Sequence, residues 1–324
     1  MKSVGEIVEL ASAYYGSAVL FAAIDFGVFE KVEAGALDVS ARGVRLLADA
    51  CVAEGLLEKR DGEYFNTPDS RDVLIPGAKG DLTKAIRYNR DVYPAWGRLL
   101  EFVETSRPVE KPEIHLGEDS QRTKAFAAAM FGRAMGMGRS VVPMMGRLSG
   151  KVLDLAGGPG AYAILMCQAN PSIECVTVDL PAISKEAQKY VESFSLSSRI
   201  ECRSGDYHSD VYEECAYDAV TIFGALHQEP PEKIVEILKR AYRALKDGGR
   251  IFVLDLMTDA SHTAPKFSAL FALNMALTTQ SGWVFSDEEL KGWMRSAGFV
   301  PDETRSVPPP MPHWIVTARK ANLV

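Results

Sequence analysis

The chain has 324 residues, of which 47% are hydrophobic, so it is long enough for two folded domains with a core in each. Its formal net charge of −7 argues against a nucleic-acid partner, because binding to phosphates needs concentrated Lys and Arg. The five cysteines form no C-x-x-C pair, which predicts a reducing cytoplasm rather than a disulfide framework or a zinc site.

The first marked feature along the chain is an apolar segment, "LASAYYGSAVLFAAI", at residues 10–24. It is shorter than the roughly 20 apolar residues that span a bilayer. Glu6 and Glu9 precede it, where a signal peptide would carry basic residues. We therefore expect an amphipathic or buried helix here and no membrane association.

Residues 1–100 are predicted to form a mostly helical domain of the winged-helix type. Helical apolar spacing is followed by a break at Gly55 and a short hairpin that turns at "RDG". A winged helix can bind DNA, but this segment contains 12 Lys and Arg against 15 Asp and Glu. That balance favours dimerisation over DNA binding as the role of this domain.

Residues 101–149 are predicted to form a helical linker that contributes to a substrate pocket. Met130 lies in a Met-rich stretch that suits an adaptable apolar wall. Arg133, on the same predicted helix, is a candidate to bind the carboxylate of a cofactor or of an acidic substrate.

After Gly150 the pattern changes to alternating strands and helices, which continues through residues 150–324. Strict alternation of β and α implies an α/β fold with a parallel, doubly wound sheet. One helix, in "PEKIVEILKRAYRALKDGG", is predicted to stop at its glycine pair, Gly248 and Gly249.

The glycine-rich stretch "DLAGGPGAYA" lies where the first strand of this sheet gives way to a helix. Gly158, Gly160 and Ala163 match G-x-G-x-x-A, and Asp179 follows where a ribose-binding acid would stand, which also fits a nicotinamide dinucleotide. Asp154 and Asp206 are also predicted to lie at strand ends, so that three strands each end in an acid. Three acids favour an adenosine cofactor that carries a positive charge and no diphosphate.

These motifs together resemble the S-adenosylmethionine-dependent small-molecule O-methyltransferases typified by caffeate and polyketide O-methyltransferases. The glycine motif is matched by "DLAGGPG", the second-strand motif by "VDLPAI" and the adenine-side motif by "GDYH". The N-terminal "VLFAAIDFGVFEKV" resembles the family's dimerisation region. The resemblance implies a Rossmann-like class I methyltransferase sheet, a winged-helix dimerisation domain and a homodimer, with S-adenosylhomocysteine as the product.

Cofactor contacts are carried over residue by residue from these matches. The three loop glycines would face the methionine part of the cofactor, Asp179 the ribose, and Asp206 with Tyr207 the adenine. Ala156 stands at the family's first glycine, and we expect an ordinary backbone there. With the acid and the arginine inferred above, the candidate cofactor contacts are Asp154, Gly157, Gly158, Gly160, Asp179, Leu180, Asp206, Tyr207, Phe223 and Arg133.

His227, in "LHQEPPE", matches the position of the family's general base and follows the fourth strand of the sheet. An imidazole at that place opens onto the ligand crevice and can accept a hydroxyl proton at neutral pH. Asp255 ends the neighbouring strand and would hold Nδ1, leaving Nε2 free. The predicted pocket wall comprises Met130, Met257, Met275, Trp283 and Phe285, and no metal is expected.

The predicted reaction is methyl transfer to a hydroxyl of a small, largely apolar or aromatic molecule. Three alternatives remain open from the sequence: an S- or C-methyltransferase, or a non-methylating relative, on the same scaffold; a winged-helix regulator that senses an adenosine ligand; and a dinucleotide-dependent oxidoreductase.

Overall fold

The computed structural model describes residues 1–78, 80–111, 120–309 and 311–321. Contacts within the chain divide it into two compact units, Met1–Asp91 and Val92–Val324. Helix α6 (Thr83–Trp96) runs through the point of division. The boundaries at residues 100 and 150 remain a prediction from the sequence.

The first unit is helical with one hairpin, as predicted. Its further elements are α1 (Val4–Ser12), α2 (Tyr14–Phe26), α3 (Val28–Glu33), α4 (Arg42–Ala53), β1 (Leu57–Arg60), β2 (Glu63–Asn66) and α5 (Pro68–Val73). The hairpin turns at Asp61 and Gly62, which both have positive φ (51° and 88°). This is the backbone of a two-residue turn that matches the twist of the antiparallel strands β1 and β2.

The apolar N-terminal segment is helical, but its first half is exposed. Helix α1 has no buried residue, whereas α2 buries Ala23 and Ile24 in the core of the unit. Among the described residues, the helical segment Val4–Phe26 is long and apolar enough to cross a membrane by length and composition alone, and 11% of its apolar 18-residue stretch is buried. Its exposed apolar side chains include Val4, Ile7, Val8, Leu10, Tyr14 and Tyr15.

The second unit is the predicted α/β domain. Its helices are α7 (Leu99–Thr105), α8 (Ser120–Met144), α9 (Ala161–Ala169), α10 (Pro181–Ser193), α11 (Pro231–Ala244), α12 (Lys266–Thr278) and α13 (Asp287–Ser296). Its strands are β3 (Gly150–Leu155), β4 (Ile173–Asp179), β5 (Ile200–Ser204), β6 (Tyr217–Phe223), β7 (Leu245–Asp255), β8 (Phe299–Pro301), β9 (Arg305–Ser306) and β10 (Trp314–Lys320). A single 3₁₀ turn, Leu226–Gln228, follows β6.

The strand order is β5-β4-β3-β6-β7-β10-β8, and β9 also pairs with β10. The first five strands are parallel, as predicted, but β10 runs antiparallel to β7, β8 and β9. The wholly parallel sheet expected from the alternation is therefore wrong at this end. Antiparallel neighbours need no crossover helix, and the described residues between β8 and β10 include no helix.

Helix α11 ends at Ala244, four residues before the predicted glycine stop. Leu245 is already extended (φ −73°, ψ 141°) and pairs with Tyr217 in β6. The register then shifts before Ala219 pairs with Arg250, so the glycine pair lies in an irregular stretch of β7. These residues therefore pair in the sheet and do not continue the helix.

The chain builds the sheet outward from β3 in one direction and from β6 in the other. The helices that follow these two strands therefore lie on opposite faces of the sheet. A crevice opens at the carboxyl ends of parallel strands at such a point. Two buried apolar clusters, one on each face of the sheet, hold the strand ends that line this crevice.

Candidate active site

The glycine loop between β3 and α9 is built around a close approach at Gly157. A Cβ added there would lie 1.9 Å from Thr177 Oγ1 and 2.4 Å from Asp154 Oδ2, so no side chain fits. Gly158 (φ 58°) faces open space, with nothing within 4 Å of an added Cβ. Gly160 (φ 79°) caps the N-terminus of α9. The loop therefore presents bare backbone and a helix N-terminus to the crevice.

Ala156 does not have the ordinary backbone expected from the sequence. Its φ is 52°, in the left-handed region that favours glycine. The turn that leads into Gly157 imposes this angle, because the Gly157 N–H must reach Val178 O at 3.2 Å.

Ala156→Gly is expected to stabilise the protein by about 0.5–1 kcal/mol, because relief of the left-handed strain outweighs the greater conformational entropy that glycine gives the unfolded chain. Chemical denaturation of the cofactor-free protein measures this change. An unchanged or lower unfolding free energy would show that the turn carries no strain.

Asp154, at the end of β3, is 1% exposed and is held from both neighbouring strands. Thr221 Oγ1 donates to its Oδ1 at 2.6 Å and Thr177 Oγ1 to its Oδ2 at 3.1 Å. Burial raises its pKa to about 6, and the two hydroxyls oppose that rise. A buried carboxylate with no cationic partner among the described residues favours a positively charged ligand close by.

Asp179 ends β4 and is fixed by two backbone N–H groups. Gly158 donates to its Oδ2 and Leu180 to its Oδ1, both at 2.8 Å. Burial raises the pKa of Asp179 to about 6. Its carboxylate is therefore tied to the backbone of the glycine loop.

Beyond β5, Asp206 and Tyr207 belong to a network that the sequence analysis did not anticipate. Asp206 Oδ1 accepts from the backbone N–H of His208 and lies 2.8 Å from its Nδ1. Tyr207 donates to buried Glu229 Oε1 at 2.7 Å, and His208 Nε2 lies 2.9 Å from Glu229 Oε2. Glu229 therefore links the loop after β5 to the segment after β6.

His227 and Asp255 lie together at the ends of β6 and β7, as predicted from the sheet order. His227 Nδ1 is 2.6 Å from Asp255 Oδ1, and the His227 backbone N–H donates to Oδ2 at 3.2 Å. The Asp255 carboxylate also accepts from the N–H of Leu256, so Nδ1 is the ring atom that donates. Nε2 has no hydrogen-bond partner among the described residues.

Trp283, predicted to line the pocket, also holds the His227 segment in place. Its backbone N–H donates to His227 O at 2.8 Å, and its indole Nε1 donates to Glu229 O at 2.9 Å. The imidazole also packs in a T-shaped arrangement with the ring of Phe271, at 5.5 Å between ring centroids. Phe271 belongs to α12 and was not singled out from the sequence, where it is one apolar residue in an apolar helix.

The other predicted wall residues differ in exposure. Met257 and Phe285 have no exposed surface and pack in the core on one face of the sheet, and Met275 is also buried. Met130 on α8 is partly exposed. Their contact with an acceptor remains a prediction.

Phe223 and Arg133 lie on the other face of the crevice. The ring of Phe223 packs edge-on against Tyr162, 4.7 Å between centroids. Arg133 on α8 is partly exposed and forms no ion pair with a described carboxylate. Its charge opposes the rise in the pKa of Tyr162 that burial causes, so the guanidinium lies near this phenol.

Residues 114–300 match the O-methyltransferase domain family, and residues 8–75 match the O-methyltransferase dimerisation domain family. A 3-hydroxy-5-methyl-1-naphthoate 3-O-methyltransferase from Streptomyces sahachiroi is 29% identical over 97% of this chain and 95% of its own length. Human acetylserotonin O-methyltransferase is 30% identical over 84% of this chain and 86% of its own length.

The crystal structure of human N-acetylserotonin methyltransferase in complex with S-adenosylmethionine superimposes with a TM-score of 0.86 at 26% identity. The superposition covers 99% of each chain. The predicted α/β methyltransferase fold is confirmed by this match.

Proposed function

Because the chain belongs to the S-adenosylmethionine-dependent O-methyltransferase family, we propose that it methylates a hydroxyl of a small, largely apolar or aromatic acceptor with His227 as the general base. The observation that carries the proposal is the buried His227–Asp255 pair, joined at 2.6 Å with Nε2 free. S-Adenosylmethionine is the cofactor, rather than a dinucleotide.

The residues of the crevice fit this cofactor. The bare backbone at Gly158 leaves room for a close ligand, and Asp154 offers a buried carboxylate to a cationic group. We propose that Asp179 receives the ribose hydroxyls, while Asp206 and Tyr207 contact the adenine, with Gly157, Gly160, Leu180 and Phe223 completing the wall. When bound, the cofactor supplies an electrophilic methyl group on a sulfonium.

His227 acts at one atom. Asp255 accepts a hydrogen bond from Nδ1–H, which fixes the neutral tautomer with its lone pair on Nε2. Nε2 then accepts the hydroxyl proton of the acceptor, and Asp255 stabilises the imidazolium that forms. Asp255 is a positioning residue, since it contacts the base and not the acceptor.

The direct test is incubation with labelled S-adenosylmethionine and a panel of phenols, hydroxy acids and thiols. The expected result is transfer of label to a hydroxyl compound, with a gain in mass of one methylene. Transfer only to thiols or to carbon would overturn the assignment of the acceptor atom.

The chain contains an O-methyltransferase dimerisation domain, and we propose that it forms a homodimer. The apolar side chains exposed along α1 support this, since a large exposed apolar patch marks an interaction surface. We also propose a cytoplasmic protein without nucleic-acid or membrane partners, in keeping with its net charge of −7 and its unpaired cysteines.

Replacing Ile7 and Val8 together with aspartate is expected to shift the protein from dimer to monomer, because charges would be buried in the interface. Both side chains are more than half exposed, so the fold of the single chain should survive. Analytical ultracentrifugation measures the change, with the exposed Glu9→Ala as control. A double variant that sediments like the wild type would place the interface elsewhere.

A further inference from the structure

His208 lies in the turn that follows β5, and a carboxylate stands at each nitrogen of its ring. Nδ1 is 2.8 Å from Asp206 Oδ1, and Nε2 is 2.9 Å from Glu229 Oε2. Asp206 belongs to the same turn, whereas Glu229 caps the 3₁₀ turn after β6 that contains His227. The imidazole therefore bridges the segments that follow β5 and β6.

These distances require a proton on both ring nitrogens. An ionised carboxylate only accepts hydrogen bonds, and a neutral imidazole donates from one nitrogen alone. A neutral His208 would turn a lone pair toward one of the two carboxylates, at 2.8 or 2.9 Å. Only the imidazolium donates to both acids at once, so the complete bridge exists only while the ring is charged.

The charged groups around His208 favour the imidazolium. They come from the turn itself, from the segment after β6 and from α11, and they are Asp206, Asp210, Glu229, Lys233, Glu236 and Arg240. Lys233 pairs with Glu236 at 3.0 Å, and Arg240 donates to the Asp210 carbonyl at 3.1 Å. Acids outnumber cations among these neighbours, so the local field stabilises a positive ring.

The pKa of His208 gives the pH range of the bridge. Burial lowers this pKa, but the hydrogen bond and charge of Glu229, together with those of Asp206, outweigh burial and raise it above the ordinary value near 6.5. The bridge is therefore fully present below about pH 6.5 and is lost as the pH rises through the raised pKa. The side chain of His208 is 39% exposed, so water screens these pairs and their effect is moderate.

The bridge holds the residues proposed to contact the adenine. Tyr207 donates to Glu229 Oε1 at 2.7 Å, and its ring lies 4.5 Å from that of His208 between centroids. Glu229 thus receives both side chains of the turn, one at each oxygen. Without its second proton, His208 keeps a hydrogen bond to Asp206 or to Glu229 but not to both, so the turn is held less firmly.

We propose that His208, as the imidazolium, is a positioning residue that holds Asp206 and Tyr207 for the adenine, so that affinity for the nucleoside falls as the ring loses its proton. The proposal rests on the proposed adenine contacts and not on the identity of the acceptor. Loss of the bridge lowers the fraction of the protein in the binding arrangement, and the apparent affinity falls by that fraction.

The probe is 5′-methylthioadenosine, which contains the nucleoside and lacks the titrating amino-acid groups of S-adenosylhomocysteine. Calorimetry from about pH 7 to about pH 9 should show wild-type affinity falling about threefold to tenfold, the range of a partly exposed ion pair. The range begins above the pKa of about 6 of both Asp154 and Asp179, so these acids stay ionised through most of it. S-Adenosylhomocysteine should lose at least as much affinity.

His208→Gln should remove most of this pH dependence, because a neutral amide does not titrate. Its affinity at about pH 7 should equal that of the wild type at about pH 9. The KM for S-adenosylmethionine should rise by a similar factor, while kcat at saturating cofactor changes less than about twofold. Equal melting temperatures would establish that the variant folds.

Glu229→Gln tests the partner of the ring. In NMR titrations of labelled histidine, the His208 signal is the one absent from His208→Gln. Its pKa should lie above the ordinary value in the wild type and fall in Glu229→Gln. The matched control is Glu201→Gln on β5, an exposed acid that pairs with Arg203, and its titration should match the wild type.

A wild-type affinity for 5′-methylthioadenosine that stays flat over this range, or a His208→Gln variant with the wild-type slope, overturns the proposal. A fall seen with S-adenosylhomocysteine alone also overturns it, because the titrating group would then act on the amino-acid part. If label reaches no hydroxyl compound, the proposed methyl transfer fails. The nucleoside titration still decides the role of His208, since it needs no acceptor.

Discussion

His227→Ala is expected to lower kcat by about 10²–10⁴-fold, the usual contribution of a positioned general base. The affinity for S-adenosylhomocysteine should stay within a few-fold, because Asp154, Asp179 and Asp206 follow other strands. Single-turnover kinetics with an identified acceptor measure the first quantity and calorimetry the second. The fall in kcat should be smaller for acceptors with a lower hydroxyl pKa, since their deprotonation depends less on a base.

Asp255→Asn separates the base from its positioning partner. An amide at this place can donate to Nδ1 and favour the wrong tautomer, so we expect a fall in kcat of about 10-fold to 100-fold or more. Asp302→Asn is the matched control, because this exposed aspartate pairs with Arg319 and does not contact His227. Full turnover in His227→Ala would exclude base catalysis and return the assignment to an S- or C-methyltransferase or a non-methylating relative.

Gly157→Ala is expected to abolish measurable cofactor binding. The added methyl group would lie 1.9 Å from Thr177 Oγ1 and 2.4 Å from Asp154 Oδ2, far inside contact distance. Both neighbours are buried and hydrogen-bonded to each other, so neither can move without loosening the ends of β3 and β4. Equilibrium dialysis with labelled S-adenosylmethionine measures the loss.

The matched control is Gly292→Ala on α13, where an added Cβ meets nothing within 4 Å. That variant should bind the cofactor normally and gain up to about 1 kcal/mol of stability, because alanine favours a helix interior. Normal cofactor affinity in Gly157→Ala would show that the loop can relax and does not form a rigid cradle.

The features that follow from chain order were predictable from the sequence. Parallel strands bring their carboxyl ends to one edge, so the placement of Asp154 and Asp179, and of His227 beside Asp255, needed only the order of elements and a motif. The direction of β10 was not predictable in this way, because the alternating pattern does not distinguish a returning strand from one more crossover.

Features set by tertiary contact were missed or wrong. The φ of Ala156 is set by the hydrogen bond from the Gly157 N–H to Val178 O in β4. The conformational preference of alanine does not reveal such a tertiary contact. Glu229 gave no signal in the sequence, since an acid beside prolines is ordinarily solvated and only the fold buries it against Tyr207. The full burial of Met257 was likewise not evident from the sequence, and its contact with an acceptor remains a prediction.

The contacts of Glu229 and Trp283 have a consequence for the order of events in turnover. Tyr207 donates a hydrogen bond to Glu229, which lies in the same segment as His227. Trp283 donates to the backbone carbonyls of His227 and Glu229 in that segment. With Tyr207 against the adenine, as proposed, binding of the nucleoside is expected to influence the alignment of His227. By thermodynamic linkage, the factor by which a bound nucleoside raises the affinity for the acceptor equals the factor by which a bound acceptor raises the affinity for the nucleoside.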